Sequence, residues 1–205
     1  MSSAQPPQLT NAVVSAIMKD GFAHIAVTND VYLAESPELK GVLSYTMDIG
    51  QDAQLNFVWS FAWKSTNAAS AVETGVKFLL PAGADEMTWL CDSRWTEYPP
   101  DHIGRPSGTI TSKDISFAAS KRGVRWMSLF GGGKYSVVAL NAGDPSAPLA
   151  ARARAGANGT TFYLTSAIAG PSGELSGSAV SEFAIRLTPD NPVGGAFRLR
   201  VAAKP

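Results

Sequence analysis

Cysteine is almost missing from this sequence: Cys91 is the only one in 205 residues, so no internal disulfide forms and a cysteine-based zinc site is excluded. Charge is sparse as well. Charged residues make up 17% of the chain, with 17 basic against 17 acidic, and no stretch gathers one sign. Nucleic-acid binding through phosphate neutralisation needs a basic surface and has no support here. No apolar run approaches membrane-spanning length, and the opening MSSAQPPQLTN lacks the basic-then-apolar pattern of a secretory signal. The expectation is a cytoplasmic protein with no membrane partner. The two histidines, His24 and His102, lie far apart without HxH or HExxH spacing, and no GxSxG occurs. Neither a metal nor another cofactor is expected.

What is present is a period of two. In LNFVWSFAWK, the residues Leu55, Phe57, Trp59, Phe61 and Trp63 share one face, opposite Asn56, Val58, Ser60, Ala62 and Lys64. On a helix these large side chains would scatter around the axis; on a strand they make one apolar surface. The pattern returns in FRLRV, EFAIRL, TFYLTSAI, YSVVAL, VRWMSLF, GVKFLL and GVLSYTMDI, separated by turn-rich stretches such as NAGDPSAP and DNPVGG. Nineteen glycines and thirteen prolines, well spread, fit many turns. Two short helices are expected, around Asn11–Lys19 and Pro148–Ala155. Strands without alternating helices predict an all-β, antiparallel β-sandwich. Residues 1–10 read as a flexible leader and 11–205 as a single domain.

Two motifs that suggest ligands read more simply as turns. Gly131-Gly132-Gly133-Lys134 sits between two strand patterns, whereas a phosphate loop opens a helix. Asn158-Gly159-Thr160 matches a glycosylation sequon, but without a signal peptide it reads as a hairpin turn.

The densest chemistry lies in WLCDSRWTEYPPDHIGRP, residues 89–106. Asp92, Glu97 and Asp101 are interleaved with Arg94 and Arg105, and His102 follows Asp101. Such carboxylates serve as acid and base in glycoside cleavage when they flank a sugar bond. Carboxylates alternating with arginines also form ion pairs that fix a loop. Cys91 reads as a small buried hydrophobe. Tryptophans at alternating strand positions (Trp59, Trp63, Trp126) are expected in the core. Trp95 and Tyr98, in a polar loop, are candidates for stacking on a sugar ring, with Asp92, Arg94 and Arg105 binding its hydroxyls.

Three segments in order, GVKFLLPAGADEMTWL, EYPPD and KRGVRWMSL, resemble the C-terminal β-sandwich of the beta-galactosidases of glycoside hydrolase family 2, also found as their small chain. The resemblance covers residues 40–135 and, more loosely, 160–200. It implies a galactose-mutarotase-like supersandwich that packs on a catalytic partner and helps wall a carbohydrate cleft. The family's two catalytic glutamates belong to a separate (β/α)₈ barrel, which this strand pattern does not contain. The resemblance therefore implies an accessory domain or small subunit that is not catalytic alone. Two alternatives stand beside it. One is a stand-alone carbohydrate-binding module using Trp95 and Tyr98; the other is a small sugar hydrolase or epimerase using Glu97, Asp101 or His102.

Overall fold

A computed structural model describes residues 7–33, 36–67, 69–71, 73–92, 106–133, 135–142, 149–168, 185–187, 189 and 192–203. Among them the chain is all-β and antiparallel, with one 3₁₀ turn (Ile115–Ala118) and no α-helix. The strands are β1 (Gln8–Lys19), β2 (Phe22–Leu33), β3 (Ser36–Ile49), β4 (Gln54–Trp63), β5 (Ala69–Ala71), β6 (Glu73–Leu80) and β7 (Ala84–Cys91). They continue with β8 (Ser107–Thr111), β9 (Lys121–Gly131), β10 (Tyr135–Asn141), β11 (Leu149–Gly156), β12 (Gly159–Ile168), β13 (Ile185–Leu187) and β14 (Val193–Ala203).

The main layer runs β1-β2-β3-β4-β14-β10-β9-β7-β8, while β11, β12 and β6 continue from the other end of β9 and form a second, covering layer. β5 and β13 make a separate two-stranded sheet. β9 is the strand the layers share. Its last residues pair with β10 on one side and β7 on the other, while Lys121 and Val124 pair with β11. Gly123 bends the strand between these partners at φ +64°, a backbone conformation that favours glycine; a Cβ there would also stand 3.1 Å from the Asp92 carbonyl oxygen. Strands that bend from one sheet into the next are how sandwich corners are made.

The alternation read in the sequence decides what lies between the layers. Phe57, Trp59 and Trp63 are buried from β4, and Phe197, Leu199, Met127 and Leu129 extend the same surface across β14 and β9. Phe162 and Leu164 of β12 close it from the covering layer. The rings interlock. Tyr45, Phe57 and Phe197 form a stack with centroid spacings of 5.5 and 5.0 Å, and Phe78 of β6 meets Phe57 and Phe197 edge-on at 6.4 and 5.7 Å. Edge-to-face geometry sets a positive ring edge against a negative ring face, adding attraction to the area buried.

Both expected helices are strands. Asn11–Lys19 lies in β1, which begins at Gln8, inside the stretch read as a leader. Asp20-Gly21, at φ +52° and +81°, makes a two-residue turn that pairs Lys19 with Phe22 and returns the chain as a hairpin. Val13, Val14 and Ile17 then add β-branched preference for extended backbone. Likewise Pro148–Ala155 overlaps β11, paired along its length with β12 through the turn at Ala157-Asn158. The sequon is thus a hairpin turn, and Gly132 and Gly133, both at positive φ, turn β9 into β10.

Truncating Phe162 to Ala should cost about 3–5 kcal/mol, because the ring is fully buried between layers. Leu79→Ala, on the outward side of the neighbouring strand and 71% exposed, should stay within about 0.5 kcal/mol. Denaturant unfolding of the two variants measures both.

Candidate functional site

The segment singled out in the sequence joins the end of β7 to the start of β8. Trp95, Tyr98, Arg94, Arg105, Glu97, Asp101 and His102 lie outside the described residues, but both anchors of the segment are described. Cys91 N–H donates to the Pro106 carbonyl at 2.6 Å and Asp92 N–H to the Gly123 carbonyl at 2.7 Å. Arg125 Nε donates to Asp92 Oδ1 at 2.5 Å. Of the candidate sugar ligands, Asp92 is therefore engaged in an ion pair that ties the segment to β9. The pair forms because β9 carries an extra residue here: Leu90 faces Trp126 while Cys91 faces Val124, so Arg125 bulges out of the ladder.

Beneath this anchor is a packed base. The Lys121 ammonium sits 4.9 Å from the centre of the Trp89 ring and donates to the Ala119 carbonyl at 3.1 Å. Burial lowers the Lys121 pKa, with Cys91 and Asp114 acting in the opposite direction. Burial pushes the Cys91 thiol from 9.0 up to about 12, against the pull of Lys121 and with the help of Asp92. A thiol held protonated is a poor nucleophile, in keeping with a structural cysteine.

Trp59, Trp63 and Trp89 are buried as strand-core residues. Trp126 is not. It lies half-buried on the outer face of the main layer, because the Arg125 bulge shifts the alternation of β9 between Val124 and Met127. Across the sheet Trp126 stands level with Leu90 on one side and with Leu140 and Arg198 on the other. Along β9 the outward residues are Trp126, Ser128 and Phe130, and four residues of strand separate the two rings by about 13 Å. The Trp126 end borders the anchors of the 93–105 segment.

At the Phe130 end the outer face is concave. Thr111, Glu86, Phe130, Ser136 and Ala202 stand opposite one another on five consecutive strands and floor a groove of about 830 Å³. Asp85, Lys113 and Tyr135 add to its lining. Tyr135 is fixed by donation from its hydroxyl to the Pro81 carbonyl at 2.6 Å, and Asp85 Oδ1 accepts from Gly132 N–H at 3.3 Å. Sequence reasoning missed this groove, since its members come from five separate strands. The signal available was modest: Phe130 falls on the polar side of its own alternating strand. His24, by contrast, is a structural histidine, with Nδ1 2.7 Å from Asp48 Oδ1 and Nε2 3.3 Å from the Lys19 carbonyl.

No protein-family model matches this chain, and no curated protein is significantly similar to it.

The Cys91 shift has a measurable consequence. The folded state keeps the thiol proton more firmly than the unfolded chain, so its contribution to stability is full below pH 9 and is lost as pH rises toward about 12. Cys91→Ala should flatten this part of the alkaline decline in denaturation midpoint. Wild-type protein at pH 8 should react slowly with a thiol reagent when folded and completely once unfolded.

Proposed function

We propose that this chain is a carbohydrate-associated β-sandwich domain that works packed against a larger catalytic partner, as an accessory domain or small subunit of a family 2-like glycoside hydrolase, and does not hydrolyse by itself. The observation that carries this reading is β1. All twelve of its residues are exposed, and from Gln8 to Met18 none is charged. Leu9, Val14 and Met18 point to the core side of the main layer, Val13 and Ile17 to the outer side, so the strand is apolar on both faces. Among the described residues nothing pairs with its free edge.

Edge strands of proteins that work alone are blunted by charge, proline or strong bulges. β1 has one bulge, at Asn11, whose side-chain amide donates to Asp30 Oδ2 at 2.8 Å; the seven residues from Val13 to Lys19 then pair in unbroken register with β2. A strand of this kind suits a partner that supplies apolar surface, a role the resemblance assigns to a catalytic barrel. The resemblance also supplies the carbohydrate, with Trp95 and Tyr98 on the anchored segment as the wall of the cleft.

A stand-alone carbohydrate-binding module is the second reading, favoured by the half-exposed Trp126 near the Cys91 and Asp92 anchors of that segment. The two part on a simple assay. Under the first, the purified chain releases nothing from nitrophenyl galactosides and forms a stable complex with a barrel-bearing glycosidase encoded beside it. Val14→Glu with Met18→Glu should weaken that complex about a hundredfold, the effect of burying unpaired charge at an apolar interface. A complex indifferent to both changes refutes docking through β1. Hydrolysis by the isolated chain that is lost in Glu97→Gln refutes the accessory role.

A further inference from the structure

The groove on the outer face of β8, β7, β9, β10 and β14 is not accounted for by docking through β1 or by the 93–105 segment. We infer that it is a second glycan-binding site, taking one pyranose ring of a neutral oligosaccharide over Phe130. This rests on the carbohydrate reading above and gives that reading a second site.

The floor carries the inference. Phe130 presents a phenyl ring that is 41% exposed, at the centre of a row whose neighbours are Glu86 on one side and Ser136 on the other, with Thr111 beyond Glu86. An aromatic face flanked by a carboxylate and hydroxyls matches a pyranose, which has an apolar C–H face and hydroxyls around its edge. Large exposed aromatics are uncommon on a sheet's solvent side, and this one is surrounded by groups that hydrogen-bond. Among the described residues neither the Glu86 carboxylate nor the Lys113 ammonium has an ion-pair partner, so both remain available to a ligand. Among the described lining residues two carboxylates, Asp85 and Glu86, stand against one lysine, a balance that disfavours an acidic sugar.

The groove is also built rather than accidental. Tyr135 packs over Gly131, where a Cβ would collide with its ring, and its hydroxyl is held by the Pro81 carbonyl. Asp85 ties β7 to the β9–β10 turn, and the Ser112 N–H donates to the Asp85 carbonyl at 2.8 Å, fixing the turn that carries Lys113. A volume of about 830 Å³ lies within the usual range of ligand sites. Between Phe130 and Trp126 on the strand lies Ser128, which is buried, and beside it Thr88, whose hydroxyl lies 3.0 Å from that of Thr109. The Thr88–Thr109 hydroxyl pair gives a linear glycan seated on Phe130 a polar contact on the way to Trp126, about 13 Å along the strand.

The test is calorimetric titration with soluble galacto-, gluco-, xylo- and manno-oligosaccharides, using wild type, Phe130→Ala, Phe130→Tyr, Glu86→Gln and Trp95→Ala. Binding by wild type that falls about three- to tenfold in Phe130→Ala and about tenfold in Glu86→Gln, and is retained in Phe130→Tyr, supports the groove. Binding that is lost in Trp95→Ala but unchanged in Phe130→Ala and Glu86→Gln overturns the groove and leaves the carbohydrate reading standing. No binding of any of the four oligosaccharides by folded wild type overturns both. Phe130 and Glu86 lie on the outer face, so near-wild-type unfolding midpoints of their variants separate lost binding from lost fold.

Discussion

The architecture depends on one constraint, that β9 belongs to both layers. A strand has two edges and two faces, and β9 uses all four. One edge is divided between β11 and β10, and the other is taken by β7. Its inner face supplies Val124, Met127 and Leu129 to the core, and its outer face supplies Trp126 and Phe130. The bend at Gly123 is what allows the covering layer to turn back over the main one, where Phe78 meets the stacked rings of Tyr45, Phe57 and Phe197. Without that turn the apolar faces of β4, β14 and β10 would have no lid.

The same constraint ties the candidate site to the fold. Because side chains alternate with period two, a slip of one residue in β9 would exchange Phe130 with Leu129 and bury the ring that floors the groove. The core side, through fully buried Met127 and Leu129, holds the register against such a slip. The Arg125 bulge has a comparable double effect. It moves Trp126 to the outer face and places the guanidinium against Asp92, so that a single extra residue sets both the tryptophan and the anchor of the 93–105 segment.

Legibility in the sequence followed the range of the interaction. Alternation within one strand is local, and it gave the all-β class, with LNFVWSFAWK and FRLRV giving the core faces of β4 and β14 (Phe57, Trp59, Trp63, Phe197 and Leu199). The hairpin glycines were readable for the same reason. Asn11–Lys19 and Pro148–Ala155 read as helices because neither stretch has clean alternation: a bulge interrupts β1, and β11 mixes small and charged residues whose pairing is decided by β12. Trp126 was assigned to the core because a bulge counts residues across two strands. The groove was illegible because Thr111, Glu86, Phe130, Ser136 and Ala202 become neighbours only through the register of five strands.

The positions of β1 and β9 bear on whether docking and glycan binding can occur together. Six strand spacings separate them in the main layer, about 29 Å across the sheet. Each step also rotates the sheet by roughly 20°, so the outer face at β9 is turned by more than a right angle from the outer face at β1. A partner seated on Val13, Val14, Ile17 and Met18 therefore neither covers Phe130 nor faces it squarely. On the proposed reading, a bound chain would extend from the Trp126 end of the outer face, near the Cys91 and Asp92 anchors, while the partner would hold the β1 edge. The twist of one continuous sheet keeps these two surfaces apart, so the proposed docking through β1 and the proposed glycan binding over Phe130 do not compete for one surface.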